Sequence, residues 1–221
     1  MRRATTLLAM ACLAGLAPAT AAAQDITLGV KGGLNVSNLS VDAPEDPDFA
    51  FDSQTDFLVG GFAQIGIGSK FALQPEVFYS QNGAKSQSDD PSIKLNLNYI
   101  RVPLLLMARL SSRESPMYPI LYVGPQVAFE TRCQVTGEDD GVSVSFDCDS
   151  PELEDALQTK TTDFGLVFGG GLEILYSRLT VQLDARYNLG LTNLNDAEDA
   201  SEVSVKSRGW SFMLGLGIPV G

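Results

Sequence analysis

The side chains that could do chemistry in this chain are carboxylates, cations and three cysteines, because its 221 residues include no histidine. Without an imidazole, neither Ser-His-Asp nor Cys-His activation of a nucleophile can be assembled, and His-ligated zinc is excluded as well. What remains at regular spacing is a set of ionisable residues inside otherwise apolar stretches: Lys31, Glu76, Arg101, Asp163, Glu173, Asp184 and Arg186. Burying a lone charge costs several kcal/mol, so mixed signs at such positions are expected to pair with one another. The chemistry expected of them is structural. An enzyme acting on lipids would need Asp, Glu or Lys as its only available base. The glycine clusters Gly29–Gly33 and Gly169–Gly171 fall within strand-like segments and not at a strand-to-helix turn, so they are not phosphate cradles. No catalytic residue, cofactor site or metal site is expected.

The other acidic residues crowd into loops. Val41–Asp56 carries Asp42, Glu45, Asp46, Asp48 and Asp52; Arg132–Thr161 carries Glu138, Asp139, Asp140, Asp147, Asp149, Glu152, Glu154 and Asp155; the last loop carries Asp196, Glu198, Asp199 and Glu202. The formal net charge is −12, which argues against nucleic acid as a partner and against attraction to anionic lipid surfaces. Loop carboxylates offer oxygen ligands to Ca²⁺ or Mg²⁺, but no stretch has the spacing of a calcium loop. Cys133 and Cys148 are expected to form a disulfide in an exported chain. It would close a loop of about 16 residues, stabilising by roughly 3 kcal/mol on the chain-entropy model. Two free thiols are the alternative.

The elements that must hold these groups are strands. Leu179–Leu189 alternates without a break, with Leu179, Val181, Leu183, Ala185, Tyr187 and Leu189 on one face and Thr180, Gln182, Asp184, Arg186 and Asn188 on the other. Similar segments run from Asp25 to Ser37, Phe57 to Gly68, Phe71 to about Ser80, Ile93 to Arg109, Ile120 to Thr131, Thr162 to Leu175 and Trp210 to Val220. Pro75 cannot donate to a ladder, so a local bulge is expected there. In the fourth segment the apolar parity slips between Tyr99 and Ile100, which one inserted residue would repair. Connections alternate between long and short, as in outer-membrane barrels, and this predicts an amino terminus in the periplasm.

The first residues form their own unit. Arg2 and Arg3, an apolar run from Leu7 to Leu16 and the small residues ending at Ala23 predict a secretory signal peptide over residues 1–23. A lipoprotein acylated at Cys12 and a twin-arginine signal are the lesser readings. Residues 24–221 then form one domain. No apolar run is long enough for a spanning helix, so a membrane location requires a barrel. In such a barrel the apolar faces meet lipid and the charged faces fill a lumen that eight strands leave only wide enough for side chains. Phe57, Tyr79, Tyr99, Phe129, Phe164, Tyr187 and Trp210 lie near the long-loop ends of their strands and are expected to form an aromatic girdle. Lys31, Glu76, Arg101, Glu173, Asp184 and Arg186 are expected to form the lumen network.

Gly29-Val30-Lys31-Gly32-Gly33-Leu34-Asn35, Leu73-Gln74-Pro75-Glu76, Tyr79-Ser80-Gln81-Asn82-Gly83, Leu97-Asn98-Tyr99-Ile100-Arg101-Val102-Pro103-Leu104, Tyr122-Val123-Gly124-Pro125 and Arg186-Tyr187-Asn188-Leu189-Gly190-Leu191 occur in this order. By these motifs the chain resembles the PorT-like outer-membrane β-barrel family of Gram-negative bacteria, over nearly all of the mature chain. The resemblance implies an all-β, eight-stranded, antiparallel up-and-down transmembrane barrel in the outer membrane, with no activity to carry over. The expected partners are outer-membrane lipid and the outer-membrane assembly machinery. The chain, however, ends Ile218-Pro219-Val220-Gly221 and not in the aromatic residue that many such barrels present to that machinery.

The expected function is that of a non-enzymatic integral barrel with a structural or surface-interaction role, in which the loops could meet an extracellular or protein partner. A small pore or secretion-associated barrel is one alternative. A soluble periplasmic carrier, with its apolar faces turned inward around a ligand, is the other.

Overall fold

Alternation of apolar and polar residues gives strands, and nine form among the described residues. The computed structural model describes residues 25–42, 52–85, 92–111, 115–139, 142–147, 161–192 and 204–220. The strands are β1 (Ile26–Asp42), β2 (Asp52–Ile67), β3 (Phe71–Lys85), β4 (Ser92–Arg109), β5 (Met117–Asp139), β6 (Val142–Asp147), β7 (Thr162–Tyr176), β8 (Leu179–Gly190) and β9 (Ser204–Pro219). Among the described residues no helix is long and apolar enough to cross a membrane. The proposed signal segment, residues 1–23, lies outside them.

Eight of the strands close a barrel. Each pairs antiparallel with its sequence neighbours, β5 passes directly to β7, and β1 seals the ring against β9 from Thr27↔Pro219 to Asp42↔Ser204. Closure removes the free edges that an open sheet would have to protect. β6 is the addition to the expected topology. It pairs only with the far end of β5, from Gln134↔Asp147 to Asp139↔Val142, beyond the point where β5 leaves β7 at Phe129↔Thr162. Part of the segment expected as a long loop is therefore a hairpin that extends the β4–β5 wall past the rim.

At the opposite end the turns are tight. Gly68 takes a φ of 66° between β2 and β3, and Ser177 a φ of 56° between β7 and β8. A hairpin this short needs left-handed residues, which glycine adopts at no steric cost and serine at some cost.

Two local expectations are corrected. Pro75 causes no bulge: the β2–β3 register is the same on either side of it, from Phe62↔Glu76 to Ile65↔Leu73, and the slip in that ladder lies between Ser53 and Leu58. The bulge near Tyr99 belongs to β5, not β4. Asn98 pairs with Arg132 while Tyr99 pairs with Glu130, so Thr131 is the extra residue, and its hydroxyl donates to the Asn98 carbonyl at 3.1 Å. β4 consequently keeps one parity throughout, with Leu97, Tyr99, Arg101, Leu105 and Met107 all buried inside.

The faces are the reverse of a soluble sheet protein's. Leu183 and Leu214 are 44% and 51% exposed, whereas Asp184 and Arg186 are 5% and 3% exposed. A water-soluble carrier with an apolar interior is excluded by this inversion. The interior is filled, and it is not polar on every side. Ala72, Leu105, Met107, Tyr118, Ile120, Tyr122 and Val167 pack as an apolar wall, mostly from β4, β5 and β7, while β1, β3, β8 and β9 carry charged and polar groups.

Candidate functional site

The site is the barrel interior, built by register. Inward positions of β1, β3 and β8 bring Lys31, Glu76, Asp184 and Arg186 to one level, although they are far apart in sequence. Lys31 Nζ lies 3.0 Å from Glu76 Oε1 and 2.6 Å from Asp184 Oδ2. The Arg186 guanidinium donates to both Glu76 oxygens, at 2.6 and 3.2 Å, and comes within 3.9 Å of Asp184. Gln74 Nε2 donates to Glu76 Oε1 at 2.7 Å. All four charged side chains are shut away from solvent.

The space they occupy is created by what is missing beside them. A Cβ on Gly215 would sit 2.9 Å from Lys31 Cγ, so only glycine lets the lysine stem lie flat against β9. Aromatic faces close the remaining sides. Arg186 lies over the rings of Phe78 and Tyr122, each at 5.4 Å, and Lys31 over Phe62 at 5.0 Å. In a dry interior such cation–π contacts stabilise a charge that water no longer reaches.

Glu173 stands apart from this tetrad, one layer toward the tight turns. It accepts from Tyr118 Oη, from Gln64 Nε2 at 2.8 Å and from Gln182 Nε2 at 2.9 Å, and Arg109 lies 3.5 Å away. Arg109 also donates to Gln64 Oε1 at 3.0 Å. Gln74 joins the two layers, because its Oε1 accepts from Gln64 at 3.2 Å while its amide donates to Glu76. Arg109, Gln64, Gln74, Gln182 and Tyr118 are not among the expected network residues. The inward parity of Arg109, Gln64, Gln74 and Gln182 is legible in the sequence, but they do not stand out as mid-strand charges, and Tyr118 precedes the segment expected to begin at Ile120, whereas β5 begins at Met117.

Arg101 is not brought into the network. It lies at the opposite end, beside a cavity of about 10 Å³ lined by Tyr99, Gln126, Asp163, Asn188 and Ser207. That is room for one water molecule. The Arg101 Nε and Asp163 Oδ1 atoms are buried there without hydrogen-bond partners.

On the outer face Phe57, Tyr79, Phe129, Phe164 and Trp210 are exposed, and Tyr187 is half-buried between Phe168 and Trp210 at 5.4 and 5.2 Å. Phe57 and Tyr79 face each other at 6.3 Å. Tyr99 is the exception, packed inside with Leu97 and Ala128. Cys133 is half-buried against that cluster, and Cys148 lies outside the described residues. Among the described residues no group of three His, Cys, Asp or Glu side chains could hold a metal ion.

This interior holds charge in a fixed, solvent-excluded arrangement. The model of a family described as outer membrane protein beta-barrel domain matches residues 22–196. No curated protein matches the chain. Among solved structures, the chain is similar to Neisserial surface protein A, at 17% identity over 87% of this chain and 97% of that one, with a TM-score of 0.46. It is also similar to Ail of Yersinia pestis, solved with the heparin analogue sucrose octasulfate, at 15% identity over 89% and 99% and a TM-score of 0.42. The N-terminal barrel domain of Pseudomonas aeruginosa OprF follows at 11% identity over 89% and 99%, with a TM-score of 0.40.

Proposed function

We propose that this chain, which belongs to the outer membrane protein beta-barrel domain family and resides in the outer membrane, is a sealed, non-enzymatic barrel that presents a structured surface beyond the bilayer. The observation that carries this reading is the closed interior network. Lys31, Arg109 and Arg186 are matched by Glu76, Glu173 and Asp184, and the buried Arg101 is balanced in charge by the buried Asp163, so the lumen is packed and formally neutral. Eight strands leave little room for anything else. The part free to meet a partner is the long-loop end, where the β5–β6 hairpin projects.

Planar-bilayer recording on the reconstituted chain tests the first half, since a sealed barrel gives no unitary current steps. Steps of stable size would favour the small-pore reading. Binding of cell-surface or matrix preparations to proteoliposomes, with and without residues 134–147, tests the second.

Three finer assignments belong to the same reading. A PorT-like placement within the family rests on the ordered motifs from Gly29 to Leu191. Cleavage after Ala23 is supported by a family match that begins at residue 22. A Cys133–Cys148 disulfide is supported by the β5–β6 register, in which Gln134 already faces Asp147.

A further inference from the structure

Among the described side chains of the outer wall, Arg208 is a cation whose placement the interior network does not explain. On β9, Trp210, Phe212 and Leu214 point outward, while Ser207 and Gly209 belong to the inner face. Arg208 shares the outward parity and lies opposite Leu189 of β8. From the start of β8 at Leu179 to Leu189 the chain climbs about 25 Å along the barrel axis, at a rise of ~3.4 Å per residue and a tilt of ~40°. That is the height of a barrel's apolar band, so Arg208 stands at its upper edge. It is half-buried, and its Nε is shut from solvent without a hydrogen-bond partner.

Three of the four buried cations of the interior are treated differently. Lys31, Arg109 and Arg186 each meet a carboxylate, and even the exposed Arg132 has Asp147 at 3.9 Å. Among the described residues no carboxylate lies within ion-pair distance of Arg208, in a chain whose formal charge is −12. Directly below it is a continuous aromatic surface. Trp210 meets Tyr187 edge-on at 5.2 Å and stacks on Phe212 at 6.5 Å, and Tyr187 continues to Phe168.

We propose that Arg208 and the aromatic surface beneath it form a binding site for a phosphate-bearing anionic membrane lipid, the guanidinium holding the phosphate and the rings of Trp210 and Tyr187 lying along the acyl chains. A guanidinium fork matches two phosphate oxygens at once, and aromatic residues favour this depth of the membrane. A free phosphate would have no use for the rings, which is why the lipid is the occupant. The site rests on the outward-apolar barrel and is independent of any role assigned to the loops.

Trp210 is the only tryptophan of the chain, so its fluorescence reports this patch directly. The full chain, reconstituted in phosphatidylcholine vesicles, is titrated with brominated phosphatidylglycerol and, separately, with brominated phosphatidylcholine. The expected result is a relative association constant for the anionic lipid on the order of threefold to fivefold. It falls to one in Arg208→Gln, is kept in Arg178→Gln at the opposite rim, and survives millimolar inorganic phosphate. Should Arg208→Gln fail to insert, the same preference in the unaltered chain must fade at about 1 M salt, where the screening length is ~3 Å. Equal quenching by both lipids, or a preference unchanged by Arg208→Gln, overturns the lipid site. Loss of the preference in inorganic phosphate assigns the site to free anions and also overturns it. No quenching by either lipid would overturn the outward-apolar arrangement itself, a separate failure.

Discussion

Lys31 and Asp184 are 153 positions apart in the chain and meet across the barrel interior at 2.6 Å, with both side chains closed off from solvent. Such a contact exists only when β1 and β8 have taken their places on either side of β9. It is therefore a report on closure of the barrel as well as a source of stability.

Removing one partner leaves the other charge stranded. Lys31→Met is expected to destabilise the folded barrel by about 3–5 kcal/mol, because Asp184 and Glu76 then share a single cation. Urea unfolding in lipid vesicles, followed by the heat-modifiable gel shift, measures it. Lys31→Met combined with Asp184→Leu should cost clearly less than the sum of the two single changes, and strict additivity would argue against a direct pair.

Filling the space beside the lysine should also be felt. Gly215→Val places carbon where Lys31 Cγ lies 2.9 Å from the added Cβ. Overpacking of this kind costs about 1–3 kcal/mol, and the same unfolding midpoint reads it. Gly32→Val serves as the comparison, since the nearest atom to its Cβ is a backbone oxygen at 3.7 Å, and its effect should be much smaller.

The inward placement of Tyr99 separates two side chains that look alike in sequence. In a Trp210→Phe background, Tyr99→Trp should be insensitive to brominated phosphatidylcholine, and Phe129→Trp should be strongly quenched. Equal quenching at both positions would return Tyr99 to the outer girdle.

The hairpin beyond the rim supplies a redox test. Peptide mapping under non-reducing conditions should recover Cys133 joined to Cys148. Cys133→Ser should lower stability by roughly 3 kcal/mol on the entropy model for a loop of about 16 residues. Labelling of both thiols in the oxidised, unfolded chain would refute the pairing.

How far the sequence could be read depended on which signal each element carried. Strict alternation in Leu179–Leu189 made β8 visible, because a period of two has no other common cause. The same signal misled at Leu97 and Tyr99. An apolar side chain facing lipid and one packed inside a narrow barrel leave the same mark, and the bulge that reconciles them sits on the partner strand at Thr131. Glu76, Asp184 and Arg186 stood out as charges among apolar neighbours. Gln64, Gln74 and Gln182 did not, although they join the two layers of the interior, since an amide at an inward position announces neither its burial nor its partner. Which inward residues meet is fixed by register across the lumen, and that is decided by closure of all eight strands together.

The equal count of opposite charges in the interior reaches beyond stability. A transmembrane voltage performs work only on net charge that it can displace, about 2.3 kcal/mol per elementary charge for each 100 mV. Among the described residues four buried cations stand against four buried anions, Lys31, Arg101, Arg109 and Arg186 with Glu76, Asp163, Glu173 and Asp184, and give an electric field nothing to pull on as a unit. The core of this barrel is electrically silent, and the chain's entire surplus of −12 must be carried by parts of the molecule outside that core.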